Sequence, residues 1–317
     1  MAAPFHVRLL LAMGFLGSMV IPVCGGEPNA DTYWDVRQVR PGMTGFGWTV
    51  MVGTKLEKFE AEVLGVMRDV SPGRDMILCR LTGCNLDHSG IIQGMSGSPI
   101  YIDGKLLGAV AFAWEFAKDP IAGVTPFEQM VKYVRAGDRR LAAEGLHPPV
   151  QRADARPTAR IELPLIFGPR PEETRPLALD LPHPTSGGGL AGMKPIATPL
   201  AATGFTPRAL ALLNDQLGPL GLAPMAGGGV LDEIREREGG KPLVPGSPLS
   251  VAMVTGDFDL SGIGTVTHVE GDRVYGFGHP MFGLGSCEFP LMTGYIHTVY
   301  PRASVSMKMG SPLKVVG

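Results

Sequence analysis

Asp103-Gly104 stands between "PIYI" and "KLLGAVAFAW", and no other short stretch limits the fold more. An Asp-Gly pair accepts the two positive-φ positions of a tight turn, so strand-forming runs on either side fold back as a hairpin. Directly before the first strand comes "GIIQGMSGS", residues 90–98, with glycines at 90, 94 and 97 and serines at 96 and 98. The hairpin therefore carries a glycine-rich turn at its entrance. Composition agrees with this local reading. The 317 residues include 44 glycines and 29 prolines, roughly twice the usual share, with 7% aromatics. That is a turn-rich, mostly β protein with long loops. At 44% hydrophobic and 18% charged the chain buries a real core and is not disordered by composition. The net charge of −2, without a long basic run, argues against nucleic acid as a partner.

Other segments follow the same grammar. After a Pro41-Gly42 turn a strand is expected. "KFEAEVLGVMRDV" then alternates, with Phe59, Ala61, Val63 and Gly65 on one face and Glu60, Glu62 and Leu64 on the other, which predicts a strand over 58–70. "SPGRD" reads as a turn and "MILCRL" (76–81) as a short strand. "TPFEQMVKYVRAGDRRLAAEG" (125–145) changes to helical spacing, with Thr125 as N-cap and Pro126 at the first helical position. Residues 146–245 are rich in Pro, Arg and Gly and read as a linker region holding one strand, "RIELPLIF" (160–167), and one short helix (206–221). Strands return around Leu249–Val254, Ile263–Val269 and Arg273–Phe277, the last two joined by Glu270-Gly271-Asp272 as a hairpin.

The first 26 residues have the form of an export signal: Arg8, an apolar run from Leu9 to Val23, then small residues at Gly25 and Gly26. The apolar run is too short for a comfortable membrane span. A secreted, periplasmic or cell-envelope location is therefore expected, with association to the envelope through the N-terminus as an alternative. Export permits a disulfide between Cys79 and Cys84, while unpaired thiols remain the alternative. No Cys/His spacing suggests a metal, and no cofactor is expected.

The chemistry sits in two glycine-flanked motifs. A serine hydroxyl is a poor nucleophile unless a base takes its proton and donors await the oxyanion. In "GMSGSP" the N–H groups of Gly94 and Ser96 are candidates for the oxyanion hole, with Ser96 Oγ as candidate nucleophile. "VYGFGHPM" places His279 between Gly278 and Pro280 at a strand end, a candidate general base for that serine. His88 lies nearer Ser96 in sequence and is the backup. His268 and His297 lie on strands, where core or surface roles fit better.

"GIIQGMSGSPIYIDGKLLGAVAFAW" closely resembles the serine-loop signature of the SpoIVB peptidase family, serine peptidases of the trypsin-like superfamily. "GTVTHVEGDRVYGFGHPM" resembles its histidine motif, and "VRPGMTGFGWTVMVGTKLEKFEAEVLGVM" its lead-in. The resemblance covers roughly 35–135 and 245–317. It implies a mostly β, trypsin-like double β-barrel and peptide-bond hydrolysis through an acyl-enzyme on Ser96. His279 would be the base, Gly94 and Ser96 the oxyanion amides, and a protein or peptide the substrate, with no cofactor. Three departures accompany it. Ser96 precedes His279 where the family has the reverse order, as in a circular permutation. No aspartate stands where the family has one, leaving Asp75, Asp87, Asp257 and Asp259 as open candidates. The region after His279 reads as an incomplete second barrel. The expected organisation is a signal peptide over 1–26, a serine-loop barrel portion over 27–145, a linker over 146–245 and a histidine-motif portion over 246–317. A barrel of the same fold that binds peptide or protein without cleaving it is the alternative function.

Overall fold

The structure is a computed structural model and describes residues 28–143, 192–281 and 287–317. The expected signal (1–26), the expected strand 160–167 and the first part of the expected linker lie outside the described residues.

The first unit is a closed barrel of six antiparallel strands, β1 (Thr44–Val50), β2 (Leu56–Ser71), β3 (Arg74–Thr82), β4 (Pro99–Ile102), β5 (Lys105–Trp114) and β6 (Ile121–Pro126). Its order around the barrel is β4-β1-β2-β3-β6-β5, closed by the β4–β5 hairpin. The alternation in β2 does what it predicts: Phe59, Ala61 and Val63 are buried, Glu60 and Glu62 exposed. The alternation ends where the β2–β3 register shifts between Val63 and Gly65, a bulge that lets a 16-residue strand curve. At the hairpin turn Asp103 and Gly104 have φ of 48° and 75°, the two left-handed positions the sequence offers.

The barrel interior is filled by Phe59, Ile77, Leu81, Ile100, Val110 and Val124, with Cys79 among them. Cys79 and Cys84 are both free thiols, so the disulfide alternative is set aside. Cys79 points into the core, where burial pushes its thiol up to about 12, and Cys84 Sγ donates to the Lys58 carbonyl at 3.4 Å.

The second unit is a seven-stranded sheet. It contains β8 (Thr198–Thr203), β9 (Leu222–Ala226), β10 (Pro248–Val254), β11 (Asp259–Glu270), β12 (Arg273–Gly276), β13 (Leu291–Tyr300) and β14 (Met307–Val315). The order is β14-β13-β10-β11-β8-β9, with β12 paired to β11. The expected β strands of the histidine-motif portion are all present. One barrel closes; the second unit stays an open sheet. Residues 192–245, read from sequence as part of a linker, instead form β7 (Met193–Pro195), β8, β9 and two helices, α3 (Pro207–Leu217) and α4 (Asp232–Gly239). The Pro/Gly richness that suggests a linker is spent on turns between short elements. The expected helix at 206–221 is α3, with Thr206 as N-cap accepting from the Ala209 amide at 3.3 Å.

Two helices belong to the barrel side, the short α1 (Leu86–Ser89) and the longer α2 (Phe127–Ala143). The expected helix at 125–145 is α2, but Thr125 and Pro126 are the end of β6 rather than its cap. The Thr125 hydroxyl is used elsewhere, as described below. α2 ties the units together. Phe127 is fully buried, with ring centroids 5.4 Å from Tyr33, 5.2 Å from His268 and 5.2 Å from Tyr275. Arg273 Nη1 of β12 also pairs with Asp138 at 2.8 Å. Since Phe127 sits between barrel and sheet, Phe127→Ala is expected to cost about 3–5 kcal/mol. Denaturant unfolding followed by fluorescence and circular dichroism measures this, and the second sheet is expected to loosen first.

Candidate active site

The turn that carries Ser96 lies between α1 and β4, and its backbone is held from three sides. On the barrel, the Gly97 amide donates to the Val110 carbonyl at 2.8 Å and the Val110 amide to the Ser98 carbonyl at 2.9 Å. On β11, the Thr265 amide donates to the Ser96 carbonyl at 2.9 Å, Thr265 Oγ1 to the Gly94 carbonyl at 2.8 Å and Thr267 Oγ1 to the Gly97 carbonyl at 2.7 Å. On β14, the Lys308 amide donates to the Gln93 carbonyl at 2.9 Å. The β11–β12 register shifts between Val266 and His268, and the bulge turns the hydroxyl of Thr267 onto the serine turn.

Glycine is required at both ends of the turn. Gly94 and Gly97 have φ of 94° and 97°, and a Cβ at Gly97 would stand 2.0 Å from the Thr265 carbonyl oxygen. Gly97→Ala is expected to cost several kcal/mol, about 3 or more, because backbone must move and the left-handed conformation is strained. Thermal unfolding of the variant measures it. The amides of Gly94 and Ser96, the sequence's candidates for the oxyanion hole, have no acceptor among the described residues.

Ser96 is fully buried, and its hydroxyl donates to the Phe277 carbonyl, two residues before His279. The structure thus brings the serine turn and the histidine motif together, but the Ser96 hydroxyl bonds the backbone of that motif rather than the imidazole. Phe277 and Gly278 both have positive φ, 61° and 70°, so the chain turns sharply after β12. The Gly278 carbonyl accepts from Thr125 Oγ1 at 2.7 Å, and a Cβ on Gly278 would lie 3.0 Å from that of Ala109. Thr125 is therefore a residue sequence reasoning placed in the wrong role: its hydroxyl pins the histidine segment to the barrel.

His279 Nδ1 lies 3.0 Å from the Pro280 carbonyl, an acceptor only, which assigns the Nδ1–H tautomer. Nε2 then carries the free lone pair. It is sealed from solvent and makes no well-formed hydrogen bond, although the residue as a whole is partly exposed. Burial holds the imidazole below its ordinary 6.5, and the Pro280 and Ile196 carbonyls, which favour the protonated ring, only partly offset this.

The four aspartates left open by the sequence do not bond His279. Asp75 pairs with Arg68 at 2.6 Å and accepts the Asp69 amide at 3.0 Å; Asp259 accepts the Gly256 amide at 3.3 Å. Asp87 and Asp257 are exposed. The partner of Nδ1 is instead the backbone oxygen of Pro280, and no sequence pattern signals a main-chain partner. His88 is exposed on α1, His268 Nε2 lies 3.0 Å from Glu270 and His297 Nε2 2.9 Å from Ser311 Oγ, as core or surface roles require. No cluster among the described residues has the makings of a metal site.

Beneath the turn is a group that sequence reasoning missed. Lys308 is 1% exposed, and its Nζ donates to Thr49 Oγ1 at 2.7 Å. Burial pushes its amine down from the ordinary 10.5 to about 7. The unfolded chain holds this proton between about pH 7 and 10.5 while the folded chain has released it. Stability from this group is therefore complete above 10.5 and lost as pH falls through 7. Urea unfolding at a series of pH values is expected to show stability rising above pH 7, and Lys308→Met is expected to flatten that rise.

A buried glycine-framed serine, two amides without an acceptor among the described residues and a buried Nε2 thus lie on two segments joined by the Ser96–Phe277 bond. Residues 35–131, which span β1 to β6 and the start of α2, match the model of the family described as SpoIVB peptidase S55. At the level of family the match supports a SpoIVB-type serine peptidase, a hydrolase acting on protein substrates. The match includes Gly94 and Ser96; His279 lies outside it. No curated protein and no solved structure matches the chain.

Proposed function

We propose that the protein is an exported serine endopeptidase, cleaving peptide bonds through an acyl-enzyme on Ser96 with His279 as general base. The observation that carries this reading is the docking of the Ser96 hydroxyl onto the histidine segment, beside two unused amides. In the reaction Nε2 of His279 takes the Ser96 proton as Oγ attacks the scissile carbonyl. The oxyanion settles against the Gly94 and Ser96 amides. The imidazolium returns the proton to the leaving amine, and water then releases the acyl group by the same path. Nδ1–H stays on the Pro280 carbonyl throughout and keeps Nε2 in the accepting tautomer.

For this sequence of steps the Ser96 hydroxyl exchanges its Phe277 acceptor for Nε2, and the 277–280 segment moves to admit substrate. The apolar N-terminal stretch at 1–26, read as an export signal, supports activity outside the cytosol or in the cell envelope. No helix among the described residues is long and apolar enough to cross a membrane. One observation favours the alternative of a non-catalytic peptide- or protein-binding barrel: Ser96 is fully buried with its hydroxyl already satisfied.

Labelling by a fluorophosphonate separates the two. The wild-type protein is expected to label, and Ser96→Ala and His279→Gln to lose labelling by at least about 100-fold. A folded wild-type protein that does not label supports the binding reading. The reaction needs neutral His279, so the rate falls as pH drops through its folded pKa. Because burial lowers that value, labelling is expected to persist at pH 6.5 and to fall only below it.

A further inference from the structure

The buried lysine under the serine turn has no part in the mechanism above. Its aliphatic stem packs against Gly94, where an added Cβ would meet Lys308 Cβ and Cδ at 3.1 Å and Cγ at 3.2 Å. Its backbone amide holds the Gln93 carbonyl at 2.9 Å, and Gln93 and Met307 form a parallel bridge. Its Nζ reaches Thr49 Oγ1, which also accepts from Ser98 Oγ at 3.2 Å. Thr49 and Ser98 are fully buried. A three-group chain thus runs from β14 through β1 to the residue two places after Ser96.

We propose that Lys308 is a positioning residue for the serine: its stem fixes the Gly94 peptide, and its amine, through Thr49 and Ser98, fixes the far side of the same turn. The proposal rests on Ser96 as the nucleophile for its catalytic consequence, but not for its structural one.

A buried lysine is a costly way to hold a turn, and the hydrogen bonding gives the reason it is useful. No carboxylate pairs with Lys308 among the described residues. The titratable groups that act on it are Cys84, after β3, and Glu57 of β2. With a charged ammonium, both Lys308 and Ser98 donate to Thr49, and the Thr49 hydroxyl hydrogen has no acceptor among the described residues. With a neutral amine, the chain runs in one direction: Ser98 donates to Thr49 and Thr49 donates to Lys308. The Thr49 hydroxyl hydrogen then has an acceptor, so one buried donor fewer is left unmade, which favours the neutral form. The turn is therefore set most firmly above the pH at which the amine releases its proton, and loosens below it.

The test compares the full-length wild type with Lys308→Met, which keeps the stem and removes the amine, and with Thr49→Ser and Thr49→Val. Amide hydrogen exchange over residues 92–98 is measured between pH 6 and 8 and corrected for intrinsic chemistry. Wild type and Thr49→Ser are expected to gain protection as pH rises through about 7. Lys308→Met and Thr49→Val are expected to exchange faster in this segment and to lose the step. If Ser96 is the nucleophile, fluorophosphonate labelling slows about 10- to 100-fold in the same two variants. Thr49→Ser is expected to retain the wild-type labelling rate. Exchange in folded Lys308→Met that equals wild type at every pH overturns the proposal, whatever the labelling shows. Failure of the wild type to label overturns the Ser96 reading instead, and leaves the exchange result to decide for or against Lys308.

Discussion

The hydrogen bonds that clamp the turn at residues 93–98 are the interaction on which the rest of the structure depends. One turn receives bonds from β5 of the barrel, from Thr265 and Thr267 of β11, and from Lys308 of β14. Remove it and the barrel and the open sheet lose their shared seam. A glycine-rich turn left to itself is entropically expensive, because glycine surrenders the most conformational freedom on folding. Here that cost is met by satisfying the turn's carbonyls in a buried place, where an unmade bond would cost more than an exposed one. The same arrangement leaves the amides of Gly94 and Ser96 without an acceptor among the described residues.

The histidine segment is placed by equally ordinary forces. Phe277 and Gly278 turn the chain out of β12, Thr125 holds the Gly278 carbonyl, and the small side chains of Ala109 and Ala111 let the backbone come close to β5. The orientation of the imidazole follows from a bond to the next residue's carbonyl rather than from a remote carboxylate. A neutral carbonyl orients the ring without stabilising an imidazolium as a carboxylate would. Together with burial, which lowers its pKa, this keeps His279 neutral at physiological pH.

Much of the barrel was legible because its signals are local. The Asp103-Gly104 hairpin, the alternation of Phe59, Ala61 and Val63 and the helix beginning near Phe127 each depend on neighbours within a few residues. Ser96 and His279 stood out for the same reason, each framed by glycines. What was not legible required contacts across the chain. Thr125 looks like a helix cap because cap chemistry is local, yet its hydroxyl is taken by Gly278, 153 residues away. Residues 192–245 look like linker because proline and glycine are counted without regard to the strands they separate. Lys308 lies in a polar-looking stretch, and no pattern announces that its amine is buried 259 residues away from its partner Thr49.

The sequence by itself determined the class of fold and the turns and singled out Ser96 and His279 as candidates, since all of these follow from backbone preferences and from side-chain chemistry that are properties of short segments. Only the tertiary structure decided how those side chains meet: that the Ser96 hydroxyl bonds the Phe277 carbonyl, that a proline carbonyl sets the histidine tautomer, and that a lysine amine is desolvated beneath the serine turn. Those outcomes depend on burial and on distances between residues far apart in the chain, and burial is a property no segment has until the whole chain has folded around it.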